Sequence, residues 1–228
     1  MMLAPDVVIP VRPGDTNPEL RYTLRSLANV PHGAVHVVGY APRWVSRQSV
    51  NVIPVEPRGA GTVVANMAAA VRSADVADSF LLFNDDFYVT RPIPGVPVLN
   101  RGRVNAVISR MRAANGVNAY VRGVIATRDH LAKLGYSDPW SFELHVPMLM
   151  RRSILRVALA MAVFPRFNWR TAYGALAGLS GTTIPDVKVY RPTDPIPAGP
   201  FLSTSDRSFR HFAEHVADLF PEPCEYEK

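Results

Sequence analysis

Short, wholly hydrophobic runs alternate with segments of helical periodicity in the first part of the chain. Four runs are predicted to be buried strands, at residues 7–9, 35–38, 50–53 and 80–83. Helices are predicted between them, at residues 19–28 and 62–72. In the first helix Leu20, Leu24 and Leu27 recur at helical spacing and define the inner face. This alternation predicts a Rossmann-like α/β sheet.

The rest of the chain is predicted to be mainly helical. Further helices are predicted at residues 104–114, 128–134, 153–161, 169–177 and 209–219. One late strand is predicted at residues 187–190, before a proline-rich loop at residues 191–200. Gly59, Ala60 and Gly61 are predicted to open the helix at residues 62–72. Neither a repeat nor a linker interrupts the pattern, so residues 1–228 are predicted to form one domain.

Composition adds a prediction about location. The chain has 228 residues, 48% of them hydrophobic, which is enough for a substantial core. No run approaches the roughly 20 apolar residues that span a bilayer, and the first residues lack the basic and apolar regions of a signal peptide. We therefore expect no transmembrane segment and a cytoplasmic location. The single cysteine, Cys224, predicts no internal disulfide.

The basic charge raises the question of a polyanionic partner. The net charge is +6, and of the 25 basic residues only Lys133, Lys188 and Lys228 are lysines. The arginines are scattered along the chain, and 21 prolines accompany them, which is typical of a compositional bias. A nucleic-acid or nucleotide-binding module without catalysis stays an alternative, because clustered basic groups gain affinity for phosphates.

An acidic triplet follows the strand predicted at residues 80–83. Asn84, Asp85 and Asp86 separate two hydrophobic runs, and burying adjacent carboxylates costs several kcal/mol unless a cation or hydrogen-bond donors compensate them. An Asx turn is one interpretation. The other is a site for Mg²⁺ or Mn²⁺, because ligands of α/β sheets bind at the carboxyl ends of strands. A metal-dependent nuclease or phosphatase would also explain paired carboxylates.

Blocks of sequence in a particular order resemble the Stealth family, which includes capsule-polysaccharide sugar-phosphate transferases and N-acetylglucosamine-1-phosphotransferases. The first block runs from Glu19 to Leu27, continues to Trp44 and ends in the acidic triplet. The others are His145-Val146-Pro147 followed by Phe167-Asn168-Trp169-Arg170, residues 201–206, and residues 219–227. Together the blocks extend over nearly the whole chain. The segment of residues 6–15 departs from the family's first region.

The resemblance implies a fold of the glycosyltransferase-A type, with a mixed, mostly parallel central sheet flanked by helices. It implies transfer of a sugar or sugar 1-phosphate from a nucleotide-sugar to a hydroxyl acceptor. The acceptor would be a glycan, a glycolipid or a protein, and the basic charge adds a modified nucleic-acid base as an alternative. Asp85 and Asp86 would hold metal. His145, Asp86 and Asp206 would be catalytic, and Arg170 would bind phosphate.

Other residues near the predicted ligand side suit a phosphorylated donor. Arg12 lies in the loop after the first strand, and Arg21 and Arg25 share a helical face from which guanidinium groups can bind diphosphate oxygens. Asn84 is assigned to donor binding with them. A solvated helix face is the alternative for Arg21 and Arg25. His145 suits proton transfer near neutral pH, whereas a packed histidine is its alternative.

Overall fold

A computed structural model describes residues 4–57, 62–162 and 164–228, so the helix opening predicted at Gly59, Ala60 and Gly61 lies outside the described residues. The strands are β1 (Asp6–Val11), β2 (Val35–Gly39), β3 (Asn51–Pro54), β4 (Ser79–Leu82), β5 (Phe87–Val89), β6 (Leu99–Asn100), β7 (Met148–Arg151), β8 (Thr182–Thr183) and β9 (Phe201–Ser203). The α-helices are α1 (Pro18–Ser26), α2 (Thr62–Ala70), α3 (Val104–Asn115), α4 (Ala119–Lys133), α5 (Arg152–Ala160), α6 (Trp169–Leu176) and α7 (Asp206–Leu219).

The chain divides into two compact units. The first unit contains Met1–Val96, His145–Arg152 and Val187–Lys228. The second contains Pro97–Leu144 and Ser153–Asp186. That residues 1–228 fold as a single domain stays a prediction.

The first unit is built on a five-stranded sheet with the order β3-β2-β1-β4-β7. The first four strands are parallel, and β7 runs antiparallel to β4. Residues Val7 to Val11 of β1 are all buried, as expected of a central parallel strand that is covered on both faces. Helix α2 packs on β1 and β2. The predicted α/β fold class, with a mixed, mostly parallel central sheet flanked by helices, is confirmed.

The strand order reverses beside β1. The chain passes from β1 outward through β2 to β3, and then places β4 on the other side of β1. In open α/β sheets a crevice forms at such a reversal, outside the carboxyl ends of the strands. The loops after Val11 and Leu82 therefore begin next to each other, and the second of these loops carries the acidic triplet.

Asn66 joins α2 to the same edge of the sheet. Its buried Nδ2 donates hydrogen bonds to the carbonyl oxygens of Val11 (3.1 Å) and Val38 (2.9 Å). Gly39 has a φ of 109°, and a Cβ there would collide with Asn66 and with the Val11 carbonyl oxygen. A glycine at this position thus permits the close approach that orders the end of β1.

The second unit has its own packing. Val104, Ile108 and Val124 form a hydrophobic cluster between α3 and α4, and β6 pairs with β8. Helix α4 begins at Ala119, well before the predicted start at residue 128, because the Asn118 side chain caps it by accepting from the Val121 N–H at 3.0 Å. Among the described residues no helix is both long and apolar enough to cross a membrane.

The strand predicted at residues 187–190 is wrong. Only Lys188 forms a bridge there, with Ser203 on the edge of β9 that does not pair with β5. Val189 nevertheless donates its N–H to the Ser203 carbonyl oxygen at 2.9 Å, and its side chain joins the cluster beneath α7. The segment is therefore held in place without being a regular strand.

The C-terminal segment is clamped onto α1 by a buried carboxylate. Glu227, whose side chain is 5% exposed, accepts from Arg25 Nε at 2.6 Å and Arg25 Nη2 at 3.0 Å, and pairs with Arg21 at 3.1 Å. Arg25 also donates to the carbonyl oxygens of Phe220 and Pro221. Burial opposes ionisation of Glu227, but the hydrogen bonds from Arg25 and the Cys224 N–H outweigh it and lower the pKa of Glu227.

We expect Glu227→Gln to destabilise the protein near pH 7 by about 2 kcal/mol, because it removes charge-assisted hydrogen bonds from a buried site. Since the folded-state pKa of Glu227 is lowered, its stabilisation is complete above the unfolded-state pKa and is lost as pH falls through the folded-state value. The difference between variant and wild type should therefore shrink on acidification below about pH 4. Urea unfolding across pH measures this, with the exposed Glu222→Gln as control. A difference independent of pH would contradict the assignment.

Candidate active site

Asn17 connects the loop after β1 to the acidic triplet. Its Oδ1 caps α1 by accepting from the Leu20 N–H at 3.1 Å, while its Nδ2 donates to Asp85 Oδ2 at 2.9 Å. The residue has a φ of 27°, a left-handed conformation that asparagine tolerates better than most residues. The oxygen and the nitrogen of the Asn17 side-chain amide therefore both form hydrogen bonds, and together they hold the start of α1 beside Asp85.

Trp44 supports the same loop from its outer side. Its Nε1 donates to the carbonyl oxygen of Thr16 at 2.8 Å, and the Arg21 guanidinium lies 4.7 Å from the centre of its ring. The backbone N–H of Lys228 in turn donates to the Trp44 carbonyl oxygen at 2.9 Å. The C-terminal clamp therefore extends through Trp44 to the residue before Asn17.

The triplet itself forms a turn between β4 and β5. Phe83 N–H donates to Val8 O at 2.9 Å, Phe87 N–H donates to Asn84 O at 3.3 Å, and the Asp85 carbonyl oxygen accepts from Thr23 Oγ1 at 2.9 Å. The chain therefore does turn here, but the turn is closed by the backbone carbonyl of Asn84, whereas an Asx turn is closed by a side-chain oxygen. The two carboxylates bond to other parts of the first unit, so the turn does not account for their side chains.

Asp86 is held by Lys188. Lys188 Nζ lies 2.6 Å from Asp86 Oδ2, and the two side chains are 12% and 13% exposed. The other carboxylate oxygen, Oδ1, is buried and has no hydrogen-bond partner among the described residues. A buried acceptor without a partner is costly, and a cation or a donor from a ligand would satisfy it.

Glu19 is a further carboxylate of this site. It lies in the first turn of α1 and accepts from Thr204 Oγ1 at 2.5 Å, and Thr204 in turn pairs with Tyr88 OH at 2.9 Å. Burial raises the pKa of Glu19 to about 7; the hydrogen bond from Thr204 opposes this, and the charges of Asp86 and Asp85 add to it. From the sequence alone Glu19 marks the start of a helix and of the first Stealth-like block, and no role in the site is predicted for it.

The pKa of Asp85 is also raised, to about 6. Burial is the main cause and the charge of Asp86 the next, whereas the hydrogen bond from Asn17 and the charge of Arg12 act in the opposite direction. Several acidic groups thus compete for few positive charges. Such crowding favours binding of a proton or of an added cation.

Asp206 and Arg12 form the outer part of the site. Arg12 Nη2 lies 3.0 Å from Asp206 Oδ1, and the two side chains are 58% and 70% exposed. Asp206 is the first residue of α7, where Ser205 and Ser208 form a reciprocal capping box. An exposed ion pair contributes little to stability, so both groups are available to a ligand.

Two adjoining cavities open at this edge of the sheet, with volumes of about 450 and 390 Å³, and both are lined by Arg12, Asp85 and Asp206. The larger is also lined by Asn84, Asp86, Lys188 and Arg207. The smaller is also lined by Glu19 and Asn17. These volumes lie within the range of small-molecule sites.

A divalent cation at this site would need ligands in addition to those that the protein supplies. Among the described residues no group of three or more histidine, cysteine or acidic side chains is arranged to hold a metal. Mg²⁺ commonly takes one or two carboxylates and completes its shell with water and substrate phosphates, so two carboxylates are compatible with such a cation. The assignment of Asp85 and Asp86 as metal ligands stays a prediction. Oδ1 of Asp86, which has no hydrogen-bond partner among the described residues, would be the ligand from that residue.

His145 lies just before β7 in the first unit. Its ring meets the rings of Phe87 and Tyr190 edge to face, with centroid distances of 6.2 and 6.5 Å. Phe87 directly follows Asp86, and Tyr190 is two residues from Lys188. The fold thus brings His145 to the neighbourhood of the acidic residues, although among the described residues it lines neither cavity, and its catalytic role stays a prediction.

The remaining predicted donor-binding arginines have structural partners. Arg25 and Arg21 bind Glu227, and neither lines the two cavities within the described part of the chain. Arg170 is buried in the second unit and donates to Leu144 O at 2.7 Å. Their roles toward a donor stay predictions. Sequence reasoning missed Lys188, although it is a rare lysine in an arginine-rich chain.

Fold and site together define an α/β protein with a Rossmann-like sheet and a carboxylate-lined cleft at its topological switch point. No family model matches the chain, and no curated protein matches it. A solved structure of 4-diphosphocytidyl-2C-methyl-D-erythritol synthase is similar in fold, with a TM-score of 0.47 and 13% identity over 96% of this chain and 100% of that one. The resemblance to the Stealth family stays a prediction.

Replacement of Thr204 by valine should destabilise the first unit by about 2 kcal/mol. The change keeps the shape of the side chain but deprives buried Glu19 and Tyr88 of their shared partner. Thr204→Ser, which keeps the hydroxyl, is the matched control and should cost much less. Denaturant unfolding near pH 6 measures both variants, and equal stability of valine variant and wild type would exclude this hydrogen-bonded chain.

Proposed function

We propose that the protein is a metal-dependent nucleotide-sugar transferase that moves a sugar or a sugar 1-phosphate to a hydroxyl acceptor such as a glycan. The observation that carries this proposal is the position of Asp85 and Asp86. They follow β4 at the switch point of the sheet, and one oxygen of Asp86 is buried without a partner. The resemblance to the Stealth family supports the same class of donor.

The cleft suits a diphosphate held with a cation. Arg12 is exposed enough to leave Asp206 for a phosphate, and the amide of Asn84 lines the larger cavity. Asp85 and Asp86 would hold Mg²⁺ or Mn²⁺, which when bound supplies positive charge for the nucleotide leaving group. Two carboxylates without a third protein ligand leave coordination positions for phosphate oxygens.

The acceptor hydroxyl must lose a proton during transfer. His145 is the proposed base because imidazole exchanges protons near neutral pH, and Asp86 and Asp206 are the other candidates. Phe87 and Tyr190 hold the His145 ring from two directions. Such packing restricts the ring to few orientations, which is what a positioned base requires.

The net charge of +6 is compatible with nucleic acid as the acceptor. It is equally compatible with a module that binds nucleic acid without catalysis. The two classes differ in what Asp86 does. A transferase depends on Asp86, whereas a binding module would hold polyanions in a salt-dependent way regardless of that carboxylate.

We expect Asp86→Asn, or chelation by EDTA, to lower turnover by about 100-fold or more, because the substitution weakens binding of the cation that would neutralise the leaving group and the chelator removes that cation. The assay incubates a panel of nucleotide-sugars with Mg²⁺ or Mn²⁺ and measures the released nucleotide chromatographically. Released diphosphate identifies sugar transfer, and released monophosphate identifies sugar-phosphate transfer. The control is Asp75→Asn, at an exposed carboxylate. Undiminished turnover in both treatments would reject a metal role for this residue.

Replacement of His145 by glutamine should lower kcat by about 100-fold while the KM for the donor stays nearly constant, because general-base catalysis is lost and donor contacts are kept. Initial rates at varied donor and acceptor concentrations separate the two constants. His130→Gln is a matched control, since the His130 ring also packs edge to face on two phenylalanines, in the second unit. A variant that raises only the donor KM would instead place His145 in donor binding.

A further inference from the structure

Lys188 is held in place more firmly than is usual for a lysine. The residues beside it, Val187 and Val189, are buried, and the backbone of Ser203 bonds to both at 3.3 and 2.9 Å. Its ammonium lies 2.6 Å from Asp86 Oδ2 with the side chain only 12% exposed. The fold thus delivers a positive charge to the carboxylate that the proposed metal would use.

A lysine and a divalent cation are competitors for one carboxylate. Two positive charges at contact distance repel strongly wherever water is partly excluded. Lys188 has a flexible four-carbon side chain with a compact charge, so the ammonium can leave Asp86 without movement of the backbone. The larger cavity offers a destination, because Lys188 lines it together with the cationic groups of Arg12 and Arg207.

We propose that Lys188 is a resident counter-cation that leaves Asp86 when the divalent cation binds and then contacts the diphosphate of the nucleotide donor. The inference rests on the proposed function and assigns a further donor-binding residue to it. Before binding, Lys188 neutralises Asp86; with donor present, the phosphate replaces Asp86 as the partner of the ammonium. Metal and nucleotide must therefore strengthen each other's binding through this one side chain.

The test measures binding of Mn²⁺ by electron paramagnetic resonance, with and without uridine, cytidine, guanosine or adenosine diphosphate. In wild type, the matching diphosphate should raise Mn²⁺ affinity by about tenfold, after correction for the Mn²⁺–nucleotide complex in solution. Lys188→Met should bind Mn²⁺ about tenfold more tightly without nucleotide, since the competing charge is gone. The further increase caused by the nucleotide should be smaller than in wild type, because only direct coordination of Mn²⁺ by the diphosphate remains. Lys188→Arg keeps the charge and should retain competition.

Lys133→Met is the matched control, since it makes the same change of net charge at an exposed position of α4 in the second unit. Unchanged or weaker Mn²⁺ binding by folded Lys188→Met would overturn the inference. A nucleotide-induced increase in Mn²⁺ affinity that is as large in Lys188→Met as in wild type would also overturn it while leaving the proposed function standing. A wild type that binds neither would remove the proposed function, and this inference with it.

If Lys188→Met does not fold, a second pair of variants tests the same inference. Asp86→Asn frees Lys188, and the double variant Asp86→Asn/Lys188→Met replaces the ion pair by neutral groups. In metal-free buffer, Asp86→Asn should bind the nucleoside diphosphate about tenfold more tightly than the double variant, because only the former retains the ammonium. Equal affinities would show that Lys188 merely neutralises Asp86.

Discussion

The parallel pairing of β1 with β2 on one side and with β4 on the other is the constraint on which the site depends. It makes the chain reverse direction across the sheet beside β1, so the loops after Val11 and Leu82 start side by side. Asn17 in the first loop can then bond to Asp85 in the second at 2.9 Å. No local property of either loop would produce this meeting. The acidic cleft is a product of strand order.

Strand order also brings several buried carboxylates together, and nearby positive charges neutralise them only in part. Glu19, Asp85 and Asp86 converge where burial raises the pKa values of the first two to about 7 and about 6. Lys188 and Arg12 supply positive charge from segments far away in sequence. The arrangement stores unfavourable charge that a cation or a proton relieves. Proteins tolerate such groups mainly at functional sites, which is why this cleft is the strongest candidate.

The four parallel strands of the central sheet and the acidic triplet were predictable because their signals are local, whereas β7 was not predicted. Hydrophobic runs identify β1, β2 and β4, and adjacent carboxylates after a strand are conspicuous in any sequence. Lys188 was not predictable, because its partner Asp86 is distant in sequence and only the fold brings them together. The same reason applies to Arg25. Its position on α1 predicted a phosphate-binding role, but in the structure it binds Glu227, which is distant in sequence. When the partner of a side chain is distant in sequence, the residues next to that side chain in the sequence do not indicate the pairing.

Trp44 has a practical consequence through its place behind the cleft. It is the tryptophan of the first unit, since the other two, Trp140 and Trp169, belong to the second unit. Its indole nitrogen is bonded to Thr16, next to Asn17, and a guanidinium covers its ring. Any rearrangement of the loop after β1 must alter the polarity around that indole. The protein therefore carries an intrinsic fluorophore at the back of its cleft, through which ligand binding can be followed without attaching a dye.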